Sequence, residues 1–253
     1  SPIDIDKLIE GTNEILTANR NSLQLFDMLH SMRQFDDLTY VHSVNVALIA
    51  SILGQWLKFS EKDIRILTIS GLLHDIGKIM IPNEILTKPG KLTVAEYNIM
   101  KQHVNFGYEK VKNQNIDIRI KEACLLHHEK CDGTGYPFGL KSDHIPAVAK
   151  IIAIADVYDA MTSARVYRGA LCPFEVIDTM YKDAFTKFEP EYILPFLKNV
   201  ASSYINNDVR LSDGRIGKVV LINENALSLP IVQCEDEFID LSKTRGLTVS
   251  AIL

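Results

Sequence analysis

The sequence predicts a mainly α-helical protein that ends in a small antiparallel β appendage. From Ile3 to about Ile205 apolar residues recur at helical spacing. After Asn207 the pattern turns to short β-branched runs split by turn residues. Size supports the same reading: 253 residues, 47% hydrophobic and 23% charged, suffice for a substantial core and describe a folded rather than a disordered chain.

The elements follow in order. The stretch from about Thr39 to Leu57 is apolar nearly all round, as a helix buried on every side must be. Ser60 with Asp63 has the form of a capping box, opening a helix through Ile64, Leu67, Leu72 and Leu73. "IPNEILTKPGKL" is punctuated as a loop. Thr93 with Glu96 repeats the box, ahead of a helix expected to carry both Met100 and His103. A further helix is expected from Pro146 to Met161, with Val148, Ile151, Ile152 and Ala155 on one stripe, and two more over roughly 173–184 and 190–205. Asp213-Gly214 and Asn223-Glu224-Asn225 are hairpin signals, so three or four strands are expected at the end. The expected division is an N-terminal helical segment or linker over 1–37, a helical domain over 38–206 and the β appendage over 207–253.

Composition excludes some classes of function. With 27 basic against 32 acidic residues the net charge is −5, which argues against a nucleic-acid polymer as partner. It leaves room for a small phosphorylated ligand held by a few cations. Cys124, Cys131, Cys172 and Cys234 form no C-x-x-C pair and read as reduced thiols of a cytoplasmic protein. No signal peptide stands out, and no apolar run approaches the roughly 18 residues of a membrane span. The chain opens on Ser-Pro rather than Met, which leaves open whether it is a fragment of something longer.

Seven histidines occur, five of them on or beside segments otherwise made of core residues. A single histidine on an apolar face is ordinarily a satisfied core imidazole. Five, with Asp75 directly after His74 and Asp156 amid "KIIAIADVYDAM", need another account, because an isolated buried carboxylate is very costly. Imidazole nitrogen and carboxylate oxygen without thiolate suit Fe, Mn, Ni or Zn. Adjacent ligands such as His74-Asp75 and His127-His128 point about a third of a turn apart, which suits a carboxylate bridging two ions. Lys78 is expected on the same helical face, where an anion such as phosphate must separate it from the cations.

"HDIGKIMIPNEILTKPGKL", "HHEKCDGTGYP" and "IIAIADVYDAMTSARVYRGAL" resemble, in order and spacing over about residues 40–200, the HD-GYP branch of the HD phosphohydrolase superfamily. The resemblance implies an HD-type helical bundle and a metal-dependent phosphodiesterase. Its substrate would be cyclic di-GMP, opened by metal-activated hydroxide to linear pGpG, with further cleavage to GMP left open. A non-catalytic cyclic dinucleotide receptor and a hydrolase of cyclic GMP-AMP remain as alternatives.

Carried over by position, the resemblance implies His42, His74, Asp75, His103, His127, His128 and Asp156 as metal ligands, with Asp75 bridging. Lys78 would meet the scissile phosphate, and Gly135, Tyr136 and Pro137 would form the loop beside the substrate. Asp159 would orient ligands or water at the substrate side, and Arg165 and Arg168 would hold the phosphate that is not cleaved. Members with a third metal carry a glutamate four residues before the first ligand. Leu38 stands there, so two divalent ions are expected, iron first, with Mn, Ni or Zn as alternatives. Cys131, inside the second motif, is expected to pack rather than react. For residues 1–37 a linker from a sensory or receiver domain and a helical pair covering the core stay equally open. For the β appendage a cap, a homodimer contact and a docking site stay open.

Overall fold

The structure is a computed structural model that describes residues 38–163 and 170–253, the side chains from Val41 onward. Helices α1 (Leu38–Trp56), α2 (Glu61–Leu73), α3 (Asn83–Leu86), α4 (Val94–Met100), α5 (His103–Val111), α6 (Ile118–Leu126), α7 (Ala147–Thr162), α8 (Pro173–Asp183) and α9 (Pro190–Ser203) precede strands β1 (Asp208–Leu211), β2 (Ile216–Leu221), β3 (Ile231–Cys234), β4 (Glu237–Asp240) and β5 (Val249–Ile252). Among the described residues no helix is long and apolar enough to cross a membrane.

The chain divides into two compact units. The first holds the described residues up to Ala160 together with Thr186–Glu189, and the second holds Met161–Phe185 and Pro190–Leu253. The change in composition at Asn207 therefore marks where strands begin, whereas α8 and α9 group with the sheet.

In the first unit α1 and α2 supply the centre of the core, burying Val46, Ala47, Leu48 and Ile52 on one and Leu67 and Leu73 on the other. They cross so closely that a Cβ on Gly71 would lie 2.5 Å from the Cα of Ala47. That crossing sets the end of α2 against the start of α1, bringing the rings of His74 and His42 to 5.3 Å. Ser60 caps α2 by accepting from the Asp63 amide, but its hydroxyl then donates to the Asp63 carboxylate, so the box is not closed reciprocally. Thr93 and Glu96 do form the full capping box. The helix they open stops at Met100, and His103 starts a new one after an elbow at Lys101-Gln102. The single helix expected through both residues is thus two. Lys150 and Ser142 bind the Glu189 carboxylate, which ties Thr186–Glu189 to this unit.

In the second unit α8 and α9 bury Phe174, Ile177 and Met180 with Ile193, Phe196 and Leu197. The sheet is antiparallel throughout in the order β4-β3-β2-β1-β5. Burial alternates along β1 and β3, as period-two strands with one covered face require. Gly214, at φ 92°, makes the turn between β1 and β2 that Asp213-Gly214 predicts. Five strands form rather than three or four. The additional turn at Glu235, with φ 52°, carries no glycine or asparagine, and β5 has only four residues to announce itself.

Candidate metal centre

Helix α2 ends at Leu73, and the next two residues turn out of it: His74 is helical at φ −53°, while Asp75 sits at φ −98°, ψ 8° before a short 3-10 turn over Ile76–Met80. The two side chains therefore leave the backbone at the end of a helix rather than along one. Gly77 in that turn lies against α5, where an added Cβ would come within 1.9 Å of the His103 carbonyl oxygen. This contact delivers His103 to Asp75. His127 caps the C-terminal end of α6, His128 follows it, and Asp156 lies two turns from the end of α7.

These residues converge. One oxygen of Asp75 lies 3.3 Å from His103 Nε2 and 3.9 Å from His127 Nε2, and the other lies 3.4 Å from His74 Nε2 and 3.6 Å from His42 Nε2. Asp156 reaches His42 Nε2 at 3.0 Å and His128 Nδ1 at 3.8 Å. Two groups result, Asp75 with His103, His127 and His128, and His42 with His74 and Asp156, each compact enough for one ion. Asp75 is only 2% exposed and presents one oxygen to each group.

The hydrogen-bond pattern provides a test of whether the donors fit a metal. Nδ1 of His74 bonds to the Gly71 carbonyl at 2.7 Å, that of His103 to Met100 at 2.8 Å and that of His127 to Ala123 at 3.0 Å. A carbonyl can only accept, so each Nδ1 carries the proton and each Nε2 offers a lone pair to the centre. His103 Nε2 and His127 Nε2 then face each other at 3.4 Å, lone pair to lone pair, which calls for a cation between them. His42 Nε2, His74 Nε2 and Asp75 Oδ1 are buried without a hydrogen-bond partner among the described residues. The 3.0 Å approach of His42 Nε2 to Asp156 is close but is not aligned as a hydrogen bond. Ligands about 2.1 Å from an ion stand roughly 3–3.5 Å apart, which is the spacing seen here. The residues fit divalent metal.

Electrostatics agrees. Burial, then the neighbouring imidazoles, drives His127 well below its ordinary value, and burial brings His128 to about 4, so both present neutral ligands. Burial opposes ionisation of Asp75, but the Lys78 ammonium outweighs it and keeps the carboxylate charged. His42 is pushed up to about 9. Burial works against this, yet the Asp156 and Asp159 carboxylates prevail, so without a cation a proton takes that place.

Asp159 is buried. It accepts from His42 Nδ1 at 2.7 Å and from Asn45 Nδ2 at 2.8 Å, which fits an orienting role toward a ligand. Lys78, whose ammonium needs a neighbouring anion, finds it in Asp75 at 2.5 Å. The GYP loop folds back over the histidine pair. A Cβ on Gly135 would lie 2.4–2.5 Å from the backbone of His128, Glu129 and Lys130, the Tyr136 amide donates to the His128 carbonyl, and the Tyr136 ring lies 4.7 Å from that of His128. The Tyr136-Pro137 bond is cis. Arg165 and Arg168 lie outside the described residues. So does the side chain of Leu38.

Sequence reasoning missed Glu129 and Asn45. Glu129 is buried, and its two oxygens accept from the amides of Phe138 and Leu140, fastening the far side of the GYP loop. Its place directly after His127-His128 was the available signal. Cys124 is buried beside the site, but its thiol donates to the Leu73 carbonyl and burial pushes it up to about 12, so it offers no thiolate ligand. Cys131 is half-buried and its thiol is likewise raised by burial.

Known proteins place this arrangement. A family model described as HD domain matches residues 10–192. A cyclic di-GMP phosphodiesterase of Pseudomonas aeruginosa is 36% identical over 203 residues, covering 80% of this chain and 49% of that protein. A 3′3′-cGAMP-specific phosphodiesterase of Vibrio cholerae is 36% identical over 173 residues, covering 67% of this chain and 38% of that protein. The chain thus spans about half, or less, of the length of these curated relatives. Among solved structures an HDG"Y"P protein of Bdellovibrio bacteriovorus shares the fold, with a TM-score of 0.60 at 21% identity over 76% of this chain and 60% of that one. Matched along most of its helical part, the chain belongs to the HD domain family.

Proposed function

We propose that the chain is a metal-dependent phosphodiesterase that opens cyclic di-GMP to linear pGpG in the cytoplasm. The observation that carries this reading is the Asp75 carboxylate set between two histidine groups, with Lys78 on its outer side. Divalent ions held there would supply Lewis-acid stabilisation of phosphoryl charge and lower the pKa of water toward neutrality. We infer two ions, held by the two ligand groups, with iron favoured and Mn, Ni or Zn as alternatives for an all-nitrogen-and-oxygen donor set.

The chain's own residues supply the rest. Lys78, 21% exposed at its side chain, is close enough to the centre to meet a phosphoryl oxygen while Asp75 holds it in place. Tyr136 keeps its phenolic proton, because burial raises it well above its ordinary value, and so remains a hydrogen-bond donor at the rim. Gly135 and Glu129 fix the loop that carries it. Arg165 and Arg168 are assigned to the uncleaved phosphate on the family resemblance.

The test is metal content per chain, in protein purified without oxygen, followed by chromatography of cyclic di-GMP digests. About two ions and a pGpG product are expected. Relatives named for 3′3′-cGAMP make cyclic GMP-AMP the second substrate to try. Two ions with neither substrate cleaved would favour a receptor, and no metal would overturn the reading. Lys78→Ala is expected to lower turnover about a hundredfold with metal content near normal. If the metals are lost instead, Lys78 serves to hold Asp75 and not the phosphate.

A further inference from the structure

The elbow between α4 and α5 places a cation on aromatic faces beside the metal centre. Lys101 Nζ lies 5.3 Å from the centroid of the Tyr97 ring and 6.0 Å from that of Tyr136. Tyr136 in turn lies against the ring of His128. Among the described residues no carboxylate pairs with Lys101, in contrast to Lys78, which is occupied by Asp75. Tyr97 is 48% exposed, so this platform is open to solvent on one side.

We propose that Lys101, with Tyr97 and Tyr136, forms a base-binding subsite that selects guanine over adenine. The inference rests on the cyclic dinucleotide reading above and deepens it. In a cyclic dinucleotide each base hangs one sugar away from a phosphate. A platform that begins at the ring of a metal ligand is placed to receive that base while the phosphate lies at the centre. The exposed Tyr97 ring stacks on any base and so gives affinity without choice, while Tyr136, held between His128 and the ammonium, keeps Lys101 in place. Choice comes from Lys101: an ammonium has three donors and no acceptor. Guanine presents two adjacent acceptors, O6 and N7, whereas adenine presents N7 beside an amino donor. The lysine matches the first edge and opposes the second.

The test compares cyclic di-GMP with cyclic di-AMP, in hydrolysis and in equilibrium binding, for the metal-loaded wild type, Lys101→Met and Lys101→Arg. In Lys101→Met the KM or Kd for cyclic di-GMP is expected to rise about tenfold or more, with that for cyclic di-AMP within about twofold of the wild type. Turnover at saturation and metal per chain should not change, and Lys101→Arg should keep the guanine preference. An equal loss on both dinucleotides would place the ammonium on a phosphate and overturn the assignment, as would an unchanged preference in Lys101→Met or no guanine preference in the wild type. If the wild type handles cyclic di-GMP and Lys101→Met matches it, this inference fails alone. If the wild type neither binds nor cleaves either dinucleotide, the proposed function fails and this subsite with it.

Discussion

Asp75→Ala is expected to leave the protein with almost no bound metal and to reduce the proposed hydrolysis of cyclic di-GMP by about a thousandfold or more. The magnitude follows from position. Removing a residue that merely orients a metal ligand commonly costs roughly 10–100-fold, and Asp75 stands closer in than that. Its two oxygens face four imidazole nitrogens at 3.3–3.9 Å, two from each ligand group. Without the carboxylate both groups lose a ligand together, the imidazole lone pairs face one another across an uncharged gap, and Lys78 loses its partner. Elemental analysis after gel filtration reads the metals directly, independent of activity. Retention of both ions in the variant would show that the histidines and Asp156 alone suffice, and Asp75 would lose its bridging assignment. Asp75→Asn is a useful second form: it keeps the shape of the side chain and removes the charge, so a similar metal loss there would exclude simple misfolding as the cause.

Much of the candidate site was legible because its residues stand out against their local surroundings. His74-Asp75 and His127-His128 announce themselves as polar pairs inside apolar surroundings, and Asp156 does so alone within α7. What lay beyond reach was mostly tertiary. Asp159 meets His42 across 117 residues and Asn45 across 114, and no local pattern encodes such a contact. Glu129 acts on amides 9 and 11 residues ahead, which depends on how the GYP loop folds back. The elbow at Lys101-Gln102 carries neither glycine nor proline, and both residues keep helical dihedrals, so helical spacing runs through it unbroken. That same elbow sets His103 at the head of its own helix and Lys101 at the rim. Adjacency also misled: side chains a third of a turn apart presuppose a continuous helix, and α2 has already ended when His74 and Asp75 are reached.

Gly77→Ala is expected to have the second largest effect, although Gly77 binds nothing. Its conformation does not demand glycine; its neighbour does. An added Cβ would lie 1.9 Å from the His103 carbonyl oxygen and 2.4 Å from the Gly107 amide nitrogen, both backbone atoms of α5 that cannot rotate aside. The 3-10 turn carrying Asp75 and the helix carrying His103 must then separate by more than an ångström. Overpacking of this kind typically costs about 1–3 kcal/mol, so the fold should survive with a lowered melting temperature. The metal group of Asp75, His103, His127 and His128 should not, because ligand sites tolerate little displacement. The expected result is a folded protein, by circular dichroism, with about one ion per chain in place of the two proposed and turnover reduced at least about a hundredfold. Gly107→Ala is the internal comparison: its Cβ would meet Gly77 at 3.4 Å or more, ordinary contact, so metal content and activity should stay close to the wild type. If Gly77→Ala retains both ions and full turnover, the turn and α5 are free to part without moving His103, and the close approach at Gly77 is not what holds the centre together.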